Sequence, residues 1–172
     1  TKEIFDTADV FGKGCHNNAI RYSPSWDSYT VGDISHKSIL NVSRKGELLW
    51  ILNGATSHFA GSNWIEQHGH QLLRNSMLVF ENSWFEAAEY HLDMEKMVAT
   101  EILRYRSDDT SSVLGDVQRL PNGNTLVSYS ISGVFHELDS TGTLLKRIAI
   151  PQMVLGYGEW RSSLYGPSAT VE

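Results

Sequence analysis

Three times along the chain the same grammar recurs: a polar residue, an apolar one four positions later, and a run of short strands separated by turn residues. Ile20, Leu72 and Leu120 open the three rounds, and His16, His68 and Asp116 stand four positions before them. The leading polar residues lie 52 and 48 residues apart. Four short strands repeated at about 40–50 residues are the mark of propeller blades. One four-stranded sheet has two faces to bury, and neighbours of the same kind bury them. The expected fold is therefore all-β, a β-propeller of four-stranded antiparallel blades. The 172 residues hold one partial propeller domain, with full units at 16–59, 67–106 and 115–152 and partial ones at 1–15 and 153–172.

The strands within each unit follow from turn chemistry and alternation. In the first, 16–22 leads to a turn at Pro24, then 28–34, 38–42 and 47–52, with Gly46 in the last turn. In the third, 116–120 and 125–130 flank Pro121-Asn122-Gly123-Asn124, a hairpin signal, and 134–138 and 144–150 complete the set. The second unit opens in the stretch 65–82, where a polar cluster with two imidazoles precedes the turn at Arg74-Asn75-Ser76 and the apolar run from Met77 to Phe80. Its later part, 86–105, is rich in Ala, Glu, Met and Leu, so propensity alone also allows a helix. The neighbouring units favour strands at 87–92 and 98–105. Residues 107–112 read as a solvated connector, and 1–15 as the tail of a preceding unit. Three blades do not close a ring, and open strand edges invite pairing. Further blades from the parent chain, or another copy, are the expected completion.

A net charge of -6 with no Lys/Arg run excludes nucleic-acid binding through a basic surface. No apolar stretch reaches the length of a membrane span. The single cysteine, Cys15, excludes an internal disulfide and a multi-Cys metal site, and reads as a small buried residue. First strands of propeller blades gather around the axis, so His16, His68 and Asp116 are expected in one funnel. On a regular strand His70 shares the face of His68. No carboxylate or cysteine is placed to complete a metal site with that pair, so neither a metal nor a cofactor is expected. His36, His58, His91 and His136 fall in turns or outer strands and read as ordinary. Trp50, Trp84 and Trp160 read as packing between blades.

His16-x-Asn18, Gln67-His68, Phe80-Glu81-Asn82, Leu120-Pro-Asn-Gly-Asn-Thr-Leu-Val127 and Gly156-Tyr157 with Trp160-Arg161 through Tyr165-Gly166 together resemble the arylsulfotransferase family. The resemblance runs from about His16 to Pro167. It implies a six-bladed propeller, exported to the periplasm or beyond, that moves a sulfuryl group from an aryl sulfate donor to a phenolic acceptor through a sulfated histidine. It assigns the nucleophile to His68 and the assisting acid to His16, and it points to Asn18, Gln67, His70, Tyr157 and Arg161 as substrate-binding. One position departs: the family carries an arginine where this chain has Ile34. Sulfuryl transfer spreads negative charge over equatorial oxygens, which fixed cations must meet. Arg21, Lys37, His36 and Arg161 are the groups that could replace it. Two functions stand: an aryl sulfate-dependent sulfotransferase, for which His16 and His68 speak, and a non-catalytic propeller for binding or assembly, for which Ile34 speaks.

Overall fold

A computed structural model of the protein describes residues 4–158 together with Trp160 and Arg161. The described residues form three four-stranded antiparallel sheets, each a simple meander. The first holds β1 (Asn17–Ser23), β2 (Ser28–Asp33), β3 (Ser38–Ser43) and β4 (Leu48–Leu52). The second holds β5 (Gln67–Leu72), β6 (Ser76–Glu81), β7 (Glu86–Asp93) and β8 (Val98–Arg106). The third holds β9 (Asp116–Arg119), β10 (Thr125–Tyr129), β11 (Val134–Leu138) and β12 (Leu144–Ala149). Each turn between the second and third strand of a sheet ends on a positive φ, at Lys37, Phe85 and Gly133. The repeat is thus written into the backbone as well as the sequence.

Strand β6 shows why the sheets stack. Successive side chains on a strand point to opposite faces. Met77 and Val79 face the first sheet, in a core with Ile39, Trp50, Leu52, Trp64 and Tyr90. Leu78 and Phe80 face the third, with Val117, Val127, Tyr129 and Leu138. A strand buried on both faces must be a continuous apolar run, which is how 77–80 reads. Fully burying a side chain of this size contributes roughly 1.5–3 kcal/mol. Trp50 packs between sheets, as expected, edge-on to Trp26 and Phe59.

The helical alternative for 86–105 is not what forms. Ala88, Tyr90, Leu92 and Ala99 face the first sheet, whereas Ala87 faces the third. That period of two outweighs the helix propensity of the stretch. The buried carboxylates of this strand are paired: Glu86 with Arg104 and Arg106, and Glu89 with Arg119 of β9.

The register of the inner strands differs from the apolar alignment. Ile20 pairs with Val31, His70 with Val79 and Val117 with Val127, so these three are the equivalent positions. Leu72 lies nearer the turn, opposite Met77, and Leu120 lies beyond β9. His16 and His68 are therefore not equivalent. His16 matches Glu66: the carbonyl of each accepts from the residue that follows the second strand, Ile34 at 3.1 Å and Asn82 at 2.7 Å. The equivalent of His68 is Asn18. In the second unit the residue opposite Val79 is a histidine, and in the third the residue opposite Val127 is Val117 rather than Leu120, so counting from Leu72 and Leu120 shifts both units against the first.

The segment before β1 forms a short helix, α1 (Ala8–Phe11), and Phe5, Val10 and Phe11 lie on Leu40, Val42 and Ile51 at the outward face of the first sheet. Cys15 is half-buried rather than buried. His58 and His91 are exposed, but His136 is buried between the second and third sheets, bonded to Tyr105 and Asp109. Among the described residues no helix is long and apolar enough to cross a membrane.

Candidate functional site

Both β1 and β5 carry an irregularity at the same place. Between Asn17 and Ala19 one extra residue, Asn18, interrupts the pairing with β2, and between Gln67 and His70 the pair His68-Gly69 opposes Phe80 alone. A bulge breaks alternation and re-aims the side chain that sits on it. It frees His68 from the ladder and leaves its ring half-buried. The same break separates His70 from His68. Rather than sharing its face, His70 is 0% exposed and bonds through Nε2 to Thr30 Oγ1 at 2.9 Å. Burial, with Arg21 adding repulsion, lowers its pKa to about 4.

The orientation of His68 follows from its neighbour Asn82. The Asn82 amide nitrogen donates to the carbonyls of Ser111 at 2.6 Å and Leu114 at 2.7 Å. Its Oδ1 must then be the atom facing His68 Nδ1, 2.6 Å away. An amide oxygen only accepts, so Nδ1 carries the proton and Nε2 carries the lone pair. Burial is the main cause of a lowered pKa at His68, and the charge of His16 lowers it further. The ring is neutral at pH 7, with a defined tautomer.

Gln67 and Asn18 clamp the strand that bears His68. Gln67 is fully buried, and its amide donates to the carbonyls of Asp33 at 3.0 Å and Ser38 at 2.9 Å. Asn18 donates from Nδ2 to the Gln67 carbonyl at 2.5 Å. Together they tie β5 to the first sheet on the residue before His68. Along the same seam Asn18 Oδ1, Gln67 Oε1 and His70 Nδ1 are buried without a hydrogen-bond partner among the described residues.

The structure brings His16 and His68 within electrostatic reach of each other. The His16 side chain is exposed, and its backbone N–H donates to Asp33 Oδ2 at 2.9 Å. Asp116 does not join them as a free carboxylate: it is buried and paired with Arg21 of β1. The chain after β12 returns across the sheets. Ser130 Oγ donates to the Gly156 carbonyl at 2.9 Å, the Tyr157 hydroxyl donates to the Asn18 carbonyl at 2.8 Å, and Trp160 exchanges bonds with the Gln118 amide. Tyr157 therefore stands beside the bulge of β1, where with Asn18, Ala19, Ile20 and Arg21 it lines a shallow cavity of about 260 Å³. Trp160 and Arg161 are exposed, and Trp84, exposed too, lies beneath the Arg106 guanidinium. Tyr165 and Gly166 lie outside the described residues.

Asn82 and Glu81, which the sequence offered only as part of the Phe80-Glu81-Asn82 motif, gain definite roles in the structure. Glu81 receives the backbone N–H groups of Ile65 at 2.9 Å and Glu66 at 3.1 Å, as Asp33 receives that of His16. The signal for both was an acidic residue closing the second strand of two successive units. Ile34 occupies the position of Asn82, so the first sheet has no polar side chain there. Among the described residues, metal-ligating side chains converge at Cys15, Asp33 and His36.

Residues 6–149 match the family model described as Arylsulfotransferase (ASST). No curated protein matches the chain. Among solved structures, the computationally designed Ika4 protein superposes with a TM-score of 0.60 at 15% identity, covering 94% of this chain and 88% of that one. The β-propeller domain of Cps50 (Swd1) from Myceliophteria thermophila gives 0.59 at 13% identity, over 87% of this chain and 48% of that one. A protein of unknown function from Bacteroides caccae gives 0.55 at 14% identity, over 82% of this chain and 48% of that one. Likeness at such identities shows the propeller fold alone. The chain spans about half the length of the Bacteroides and Myceliophteria proteins.

Proposed function

Because the chain belongs to the arylsulfotransferase family, we propose that it supplies the histidine-bearing blades of a propeller that moves a sulfuryl group from an aryl sulfate to a phenol. The observation that carries this reading is the fixed tautomer of His68. A neutral imidazole with Nδ1–H held by Asn82 presents the Nε2 lone pair for in-line attack on sulfur. The N–S bond forms as the S–O bond to the aryl group breaks. His16 gives its proton to the leaving phenolate. The acceptor phenol then loses its proton to His16, its oxygen attacks the sulfur, and the electron pair of the N–S bond returns to Nε2. The N-sulfated ring is cationic in between, and the Nδ1–H bond to Asn82 strengthens with that charge.

In this reading Asn18, Gln67 and His70 position the nucleophile through the seam between the first two blades, whereas Tyr157 and Arg161 are the groups that meet substrate. The chain forms part of a single propeller domain, with units at 16–59, 67–106 and 115–152. Further blades come from the rest of a longer parent chain or from another copy. An exported setting accompanies the family reading.

Ile34 favours a second reading, a propeller that binds without turning over. The expected cation is missing, and Arg21 is already paired with Asp116. Losing one charge-stabilising donor typically lowers the rate on the order of 10²–10³. Turnover of 4-nitrophenyl sulfate with phenol as acceptor separates the two readings. The transferase reading expects slow turnover, loss of turnover in His68→Ala, a gain in Ile34→Arg, and a sulfated His68 peptide after rapid quenching. Turnover that survives His68→Ala unchanged overturns the histidine mechanism. No turnover in either the wild type or Ile34→Arg leaves the binding reading.

A further inference from the structure

Cys15, Asp33 and His36 each offer a ligand atom, and these atoms all lie within 4.8 Å of one another. We propose that the three side chains bind one zinc ion at the rim of the first blade, independently of the sulfuryl-transfer reading. Thiolate, imidazole and carboxylate together are the donor set that zinc takes; magnesium and calcium favour oxygen alone. Zinc bonds of about 2.0–2.3 Å at tetrahedral angles put ligand atoms about 3.3–3.7 Å apart. The trio therefore closes on the ion by small side-chain movements. A water molecule takes the fourth position.

The carboxylate and the ring are already oriented, as supporting interactions orient the ligands of built metal sites. Asp33 is 0% exposed; its Oδ2 accepts from the His16 N–H at 2.9 Å and its Oδ1 from the His36 N–H at 3.0 Å. His36 Nδ1 lies 3.0 Å from the same Oδ1. Phe11 stacks on the imidazole, ring centroids 4.2 Å apart and planes 8° from parallel. The left-handed φ values at Gly12 and Gly14 turn the chain from α1 back towards β1 and deliver Cys15 to the cluster. Its Sγ donates to the Gly12 carbonyl at 3.4 Å.

The repeat supplies an internal control. The positions that match Cys15, Asp33 and His36 in the second blade are Ile65, Glu81 and Trp84. Glu81 keeps the architectural duty of the carboxylate, accepting from the backbone N–H groups of Ile65 and Glu66. Neither the thiol nor the imidazole recurs. The first two blades thus share the acidic residue, whereas the two softer donors join it in the first alone. An ion held there links the segment before β1 to the turn after β2. It also fixes the peptide joining Cys15 to His16.

Cobalt(II) is the spectroscopic probe. The full chain, stripped with a chelator, is titrated with Co²⁺ and then with Zn²⁺. The proposal expects saturation at one equivalent, a thiolate-to-cobalt charge-transfer band in the near ultraviolet, and visible bands of four-coordinate strength that Zn²⁺ abolishes. Cys15→Ser loses the charge-transfer band, and His36→Gln weakens binding roughly tenfold or more. Far-UV circular dichroism checks that the variants are folded. If either fails to fold, the wild type still decides: Zn²⁺ slows alkylation of Cys15 by iodoacetamide roughly tenfold or more. Absence of saturable binding, binding unchanged in both folded variants, or alkylation unaffected by Zn²⁺ each overturns the proposal.

Discussion

At the scale of single residues the informative contrast is between two histidines two positions apart. His68 sits on a bulge, half-buried, with one nitrogen held by Asn82; His70 is locked in the seam against Thr30. Burial lowers the pKa of His68, and the Asn82 bond is the larger of the two influences that raise it, the other being the charge of Glu66. Asn82→Leu should therefore drop the His68 pKa further, an outcome that an NMR titration of the ring protons reads directly. The same change strands the carbonyls of Ser111 and Leu114 and should destabilise the fold by about 1–3 kcal/mol. His70 has a consequence of its own for pH. Its pKa is about 4 in the fold against 6.5 as the ordinary value, so between those limits the unfolded chain binds the extra proton. Stability then rises with pH across that window. It is fully present above the ordinary value and lost as pH falls towards the folded one, by roughly 3 kcal/mol in total. His68 and His136, both lowered chiefly by burial, act in the same direction. Urea unfolding at a series of pH values should show the slope, and His70→Gln should flatten most of it. An unchanged slope in that variant would remove His70 as its source.

Among elements, the inner strands β1, β5 and β9 set the tolerance of the whole stack. A Cβ on Gly69 would meet Asp116 Oδ1 at 2.1 Å and the Asp116 Cα at 2.4 Å, which is backbone of the next blade and cannot swing aside. At Gly32 the nearest atoms are side-chain atoms of Asn18 at 3.0 Å and His70 at 3.3 Å. Gly69→Ala should therefore destabilise by about 3 kcal/mol and Gly32→Ala by about 1 kcal/mol or less, measured as shifts in denaturation midpoint. Equal midpoints for the two would show that the blades separate more easily than the packing indicates. This is also where the sequence stopped being legible. Strand number, turn positions and meander order follow from local chemistry, and Pro24, Gly46 and Asn122-Gly123 announced them. The register of the inner strands depends on a bulge, and a bulge has no signature in alternation. The exchange of an apolar residue for His70 at a buried position misled the alignment further. The motifs pointed to His16 and His68, whereas the part of Asn82 in fixing the tautomer was not legible. That role arises from a loop, 107–115, distant in sequence.

The whole molecule is a stack with two unequal ends. In the interior, each blade face finds a partner: His70 packs on Thr30, and Leu78 and Phe80 reach the third sheet. At the outer ends the equivalent positions find less. Ile20, the counterpart of His70, is 68% exposed, although α1 and Phe5 shield Leu40 and Ile51 on the same face. At the other end Ile148 is 51% exposed, paired in β12 with a half-buried Phe135 on which Gly158 of the returning segment lies. Contiguous apolar surface of this kind drives association when no neighbouring blade covers it. The chain by itself should sediment with a concentration-dependent weight. Ile20→Lys combined with Ile148→Lys should return it to the mass of one chain while moving the melting temperature by only a few degrees, because both side chains are exposed already. Self-association that persists in the double variant would place the contact elsewhere than on the end faces. A wild type that sediments as a single chain at every concentration would show that α1 and the returning segment suffice to cover them.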